Sequence, residues 1–245
     1  MKRLFRAMGT GLLAYCLVLS SAHANVIIAG TRVVFPASDG EVTLRLTNDN
    51  NAPALIEAWV DAGDEHSTPD KVNTPFLITP PLFRMEPHRD QSLRIIFTPG
   101  KQTMPADRES LFWLNVLEIP PKPSGQEFAG KNYLQLAIRS RLKLFYRPPG
   151  LAGDAQKAGS ALTFKATASA LVVHNPTPYY VTISALTVGS DGQSFTSEGG
   201  MVAPLADLRL ELANMKHAPA PGTVVQYETI NDYGAATSLK SAIVP

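Results

Sequence analysis

From about residue 25 onward the chain is written in short runs of alternating apolar and polar residues. Val42, Leu44 and Leu46 alternate with Glu41, Thr43, Arg45 and Thr47. Leu93, Ile95 and Phe97 keep the same period, as do Leu134, Leu136 and Ile138 among Tyr133, Gln135, Ala137 and Arg139. Successive side chains of a strand point to opposite faces, so this period buries one face and wets the other. Turn-forming clusters close the runs, among them Asn48-Asp49-Asn50-Asn51, Pro69-Asp70 and Thr98-Pro99-Gly100. No long stretch has convincing helical periodicity. The rhythm predicts an all-β fold of the sandwich type.

The pattern breaks at Pro148-Pro149-Gly150 and the small, polar residues after it. A proline lacks the N–H that a sheet ladder needs, so tandem prolines end a strand. Strand patterning resumes over 161–173, 179–188, 208–212 and 223–230. Two sandwiches are therefore expected, residues 25–147 and 161–245, joined by a linker at 148–160. A linker this short points to a fixed angle between them.

Residues 1–24 have the composition of a secretory signal peptide. Lys2, Arg3 and Arg6 form the basic start, residues 11–20 the apolar core, and Ala22-His23-Ala24 the small-x-small cleavage pattern. The apolar run is too short to cross a bilayer core of about 30 Å, so membrane insertion is not expected. The segment takes three of the 22 basic residues and none of the 21 acidic ones, leaving two more acidic than basic groups. That near-neutral balance makes no electrostatic case for a nucleic-acid partner. Cys16, the one cysteine, leaves with the segment. Core burial, without disulfides, must then hold the exported chain together.

Catalytic and metal-binding patterns are missing. His66, His88, His174 and His217 have no i+4 histidine partner and no nearby cysteine. No Gly-x-Ser-x-Gly elbow, phosphate loop or dinucleotide fingerprint occurs. The unusual features are cations inside apolar strands. Arg32 lies between residues 26–31 and Val33-Val34-Phe35, and Lys143 lies between Leu142 and Leu144. Such cations either point to water or wait in a cleft for an anionic group such as a carboxylate. The Leu134, Leu136, Ile138 row is open in the same way. It either fills its own core or is offered from a sheet edge to another protein.

Six strings, in order along nearly the whole mature chain, carry a resemblance. They are Thr31-Arg32-Val33-Val34-Phe35, Asp107-Arg108-Glu109-Ser110-Leu111-Phe112, Glu118-Ile119-Pro120-Pro121, Ser140-Arg141-Leu142-Lys143-Leu144-Phe145-Tyr146-Arg147-Pro148, Asn175-Pro176-Thr177-Pro178-Tyr179-Tyr180 and Ile230-Asn231-Asp232-Tyr233-Gly234. Together they resemble the periplasmic pilus (fimbrial) chaperones of the chaperone–usher pathway. The resemblance implies two immunoglobulin-like sandwiches set at an angle around a cleft. It implies that Arg32 and Lys143 grip the C-terminal carboxylate of a pilus subunit. Leu134, Leu136 and Ile138 would be lent as a donor strand, and Glu109, Arg147 and Asp232 would form a salt bridge between the domains. Lys143 has the opposite parity to the leucine row, so a bulge or a change of environment must intervene. The short, cysteine-free stretch between Pro121 and Lys131 resembles the short-loop subclass.

The expected protein is thus a periplasmic assembly chaperone, with no enzymatic activity, cofactor or metal. It would hold pilus subunits, block their premature polymerisation, deliver them to an outer-membrane usher, and self-associate when free. The alternatives are a secreted two-domain adhesin or pilus structural component, and a hydrolase on a sandwich scaffold.

Overall fold

The computed structural model describes residues 26–100, 103–123, 130–190 and 192–245. The expected signal peptide at 1–24 lies outside the described residues, as do residues 124–129 of the short loop.

The first sandwich has one sheet in the order β1 (Val26–Ile28), β3 (Glu41–Asn48), β7 (Asp90–Phe97) and β5 (Phe76–Thr79). Facing it is a sheet in the order β2 (Arg32–Pro36), β9 (Ile138–Arg147), β8 (Ser110–Ile119), β4 (Ala54–Asp61) and β6 (Leu82–Met85). The alternating residues of each strand meet between the sheets, where Phe35, Leu46, Ile56, Leu93, Ile95, Leu114 and Leu144 are fully buried. Phe76 and Phe112 pack edge to face with ring centres 4.9 Å apart, and Phe97 and Tyr146 lie 4.7 Å apart at one end of this core. Each such pair adds about 0.5–1.5 kcal/mol beyond the area it buries.

The second sandwich sets β10 (Thr163–Ala166), β11 (Ala170–His174) and β15 (Asp207–Glu211) against a larger sheet. That sheet runs β13 (Gln193–Ser197), β12 (Val181–Ser190), β16 (Val224–Ile230) and β17 (Ala236–Ala242), with β14 (Gly200–Val202) also paired to β12. Phe164, Leu171, Ile183, Leu186 and Val225 are buried between the two sheets.

One expectation needs correction here. The stretch 161–173 is two strands, because Thr167 closes a turn onto Ala170 through both its backbone N–H and its hydroxyl. Between the two sandwiches Ala155–Ala161 form a 3-10 helix, capped by Asp154, whose carboxylate accepts from the Gln156 N–H at 2.9 Å. Ala158 of this helix is buried in the second core. A seven-residue 3-10 helix with one buried residue has no amphipathic period to read.

Behind β8 and β9, on the outer face, a buried carboxylate ties three strands together. Asp61 is 1% exposed and accepts from Arg141 at 2.7 and 3.2 Å, from Asn115 at 2.7 Å and from the Gly63 N–H at 2.7 Å. The Arg141 guanidinium also lies over the Trp113 ring at 4.3 Å. Desolvation pushes the Asp61 carboxyl up, but Arg141, Asn115 and Gly63 outweigh it and hold it below the ordinary carboxylate range. A depressed folded pKa stabilises the fold above the unfolded value of about 3.9 and stops doing so as pH falls through the depressed one. Asp61→Asn should therefore lower Tm at neutral pH and flatten the loss of Tm in strong acid. Thermal unfolding followed from pH 7 to pH 2 checks both.

Candidate subunit-binding cleft

Strand β9 carries most of the expected site, and its two neighbours differ in length. β8 pairs with it from Glu118↔Ile138 to Ser110↔Tyr146 without a register shift. β2 runs parallel to it only over Arg32–Pro36, opposite Lys143–Arg147. The β2-side margin of β9 therefore has no strand partner over 138–142 among the described residues. Residues 131–137, which precede β9, pair with no strand; Gln135 donates to the Pro120 carbonyl at 2.7 Å. Of the three expected donor residues, only Ile138 sits in a paired strand, which corrects the reading of a regular strand through Leu134. A strand needs a ladder: β8 stops at Ile119, ahead of Pro120-Pro121, and β2 begins only opposite Lys143. All three side chains face solvent: Leu134 is 83%, Leu136 64% and Ile138 46% exposed.

The unbroken β8–β9 register leaves no bulge between Ile138 and Lys143. Ile138, Leu142, Leu144 and Tyr146 share one face of β9; the last three are buried in the core, and Ile138 lies past its end. Arg139, Arg141, Lys143 and Arg147 share the other face. The environment changes while the strand stays regular.

Arg32 and Lys143 are cross-strand partners in the β2–β9 ladder and meet the second domain together. Arg32 Nη1 donates to the Ile230 carbonyl at 3.1 Å, and Lys143 Nζ donates to Thr182 Oγ1 at 2.9 Å. Both partners are neutral. Ion pairs nearby engage Arg141 and Arg147, while Arg32 Nε is buried with no hydrogen-bond partner. Desolvation lowers the Arg32 pKa against the pull of Asp232. Desolvation and then Arg32 lower that of Lys143. Two half-buried cations side by side, neither ion-paired to a carboxylate, have the chemistry to accept an anion. Arg32, Phe145, Tyr180, Ile230 and Asp232 line a cavity of about 150 Å³ beside them.

Glu109, Arg147 and Asp232 come together between the domains. Arg147 Nε donates to Glu109 at 2.7 Å, and its two terminal nitrogens donate to Asp232 at 2.9 and 3.1 Å. The planar fork suits this double engagement. Burial pulls the Arg147 guanidinium down, yet Asp232 and Glu109 outweigh it and hold it above its ordinary value. Burial pushes the Glu109 carboxyl up by more than Arg147 and the Tyr180 N–H pull it down.

Several participants carry no signal in the sequence beyond membership of a matching string, and Thr182 not even that. The Asn175 amide donates to the Tyr179 and Ala203 carbonyls at 2.7 and 3.0 Å, and its Oδ1 accepts from the Thr177 N–H and hydroxyl. The turn it orders reaches across the domains. The Pro178 carbonyl accepts from the Glu109 N–H at 2.9 Å, and the Tyr180 N–H donates to the Glu109 carboxylate at 2.8 Å. Tyr180 also stacks on Phe145, 5.7 Å between ring centres. From the other side, the turn after β16 places Asp232 beside Arg147. Asn231 Oδ1 accepts from the N–H groups of Tyr233 and Ala235 and so shapes that turn. Gly234 within it has φ of 85°, and a Cβ there would stand 2.3 Å from Thr31 Oγ1, so only glycine lets the turn close on the residue before Arg32.

Two β-sandwiches with a cation pair between them and an open strand margin alongside define a two-domain binding protein. Residues 25–152 match the pili and flagellar-assembly chaperone PapD N-terminal domain, and residues 157–241 match the pili assembly chaperone PapD C-terminal domain. The chain belongs to this family of pilus-assembly chaperones. It is 45% identical to chaperone protein FimB/FhaD of Bordetella pertussis, over 99% of both chains. Among solved structures, the CupB2 chaperone of Pseudomonas aeruginosa is 38% identical with a TM-score of 0.74, covering 89% of this chain and 100% of its own. The Salmonella enterica SafB chaperone, solved in complex with the SafA pilin, is 29% identical with a TM-score of 0.75, covering 91% and 99%. These relatives favour the assembly-chaperone reading over an adhesin or pilus component.

Proposed function

We propose that this chain binds newly exported pilus subunits in the periplasm, completes their fold by lending them a strand, and passes them to an outer-membrane usher. The observation that carries the reading is the free margin of β9 lying in line with two cations that have no carboxylate of their own. A subunit with an open sandwich would align its edge with residues 134–142. Leu134, Leu136 and Ile138 would enter its groove, and its C-terminal carboxylate would rest on Arg32 and Lys143.

Each part does separate work. Burying the three apolar side chains yields roughly 5–9 kcal/mol before ordering costs, at about 1.5–3 kcal/mol each. The carboxylate contact contributes about 1.5–3 kcal/mol per charge-assisted bond and fixes which residues pair. A slip of one residue would turn the row away from the groove. The triad, by holding the two domains together, keeps the Ile230 carbonyl and Thr182 of the second domain against the two cations of the first. No step breaks a covalent bond, and a free molecule can cover the same margin with a second copy of itself.

Co-expression with fimbrial subunits and purification from periplasm tests the proposal. A one-to-one complex is expected, weakened roughly ten- to a hundredfold in Arg32→Ala and in Lys143→Ala while both variants stay folded. A complex retained at full strength by both variants removes the cleft from the account.

A further inference from the structure

Resting on the proposed carboxylate site, we infer that Thr182 of the second domain is a positioning residue for Lys143: its hydroxyl holds the ammonium at the place where a guest's terminal carboxylate arrives. Two in-register strand pairs supply the contact. Thr182 on β12 pairs in register with Ile230 on β16. Arg32 on β2 pairs in register with Lys143 on β9. These two cross-strand pairs meet across the cleft, Thr182 Oγ1 accepting from Lys143 at 2.9 Å and the Ile230 carbonyl accepting from Arg32 at 3.1 Å. The first domain brings the charges and the second sets their direction.

The choice of a hydroxyl has consequences. An ammonium has three donors, and Thr182 takes one, leaving two for the guest. A carboxylate in its place would neutralise Lys143 and compete with the guest. An apolar side chain would leave a long, flexible cation to be ordered at binding, at a cost of up to about 2 kcal/mol in rotamer freedom. A neutral acceptor avoids both. The charged and titratable groups facing this spot are Arg32 from β2, Tyr180 ahead of β12, Lys157 from the 3-10 helix, and Glu109 and Asp232, which are engaged by Arg147.

The test uses a synthetic peptide carrying the C-terminal strand of a fimbrial subunit, with its end either free or amidated. Wild-type protein should prefer the free carboxylate. Thr182→Val and Thr182→Ala should lose roughly three- to tenfold of that preference, and Thr182→Ser should keep it. Losing the acceptor also destabilises the charged ammonium, so the pH at which the preference drops to the share that Arg32 alone supports should fall in Val and Ala and stay put in Ser. A purely structural threonine would change Tm and leave that pH where it was. If wild type discriminates and Thr182→Val and Thr182→Ala discriminate equally at the same pH, the inference is overturned alone. If wild type ignores amidation, the carboxylate site itself fails and takes the inference with it.

Discussion

Arg147→Ala is expected to lower the free energy of unfolding by about 3–5 kcal/mol, the usual cost of removing one partner from a buried ion pair. Glu109 is the reason. Its side chain is 1% exposed, so without Arg147 its charge keeps only the Tyr180 N–H as a partner. Burial already pushes this carboxyl up with the arginine present, and its loss drives it further. A carboxyl whose folded pKa lies above its unfolded value binds protons more tightly in the native state. The variant's penalty should therefore be largest above the raised folded pKa and shrink as pH falls toward about 4.3. Glu109→Gln added to Arg147→Ala should restore much of the loss at neutral pH, because the amide has no charge to strand. Asp232→Asn alone should cost less, as Asp232 is 25% exposed and water can replace the arginine. Calorimetric Tm between pH 5 and pH 8 reads all three effects. A penalty in Arg147→Ala that does not change with pH would place the stabilisation elsewhere.

The sandwich cores were legible because alternation is a local signal: Leu93 and Ile95 on β7 are both fully buried. Arg32 and Lys143 were legible as anomalies, since a cation between apolar neighbours asks for a partner. What could not be read is what depends on where other strands stop. The parity of Lys143 against Leu134 looked like a fault in one strand, whereas β9 is regular from Ile138 to Tyr146 and Leu134 precedes it. Thr182 is an ordinary residue for a strand, and nothing local says that an ammonium from a residue 39 positions away lands on it. The Ile230 carbonyl has no side-chain signature at all. The cut within 161–173 was missed for a related reason: Thr167, Ala168 and Ser169 fit a strand by composition, and a hydroxyl bond to Ala170 turns the chain instead.

Replacing Leu134, Leu136 and Ile138 together by alanine should abolish a stable client complex and leave the free protein almost unchanged. Each change removes about three buried carbons from the guest's groove, and at about 0.8 kcal/mol per CH₂ the sum is on the order of 7 kcal/mol. That is five decades of affinity, since about 1.4 kcal/mol is tenfold. In the free protein Leu134 and Leu136 are mostly exposed and precede the ladder. Exposed substitutions of this kind move stability by about 0.5 kcal/mol or less. Leu144→Ala on the same strand is the opposite case: fully buried in the first core, it should cost about 2–5 kcal/mol of stability. A finer version tests register and leaves composition nearly intact. Inserting one alanine between Ala137 and Ile138 keeps every apolar side chain but throws Leu134 and Leu136 onto the wrong face relative to Lys143. Anchored by its carboxylate, a guest can no longer receive them, so the insertion should weaken the complex about as much as alanine at those two positions. If the insertion binds as well as wild type, the cations do not set the register, and the cleft and the row act as independent contacts.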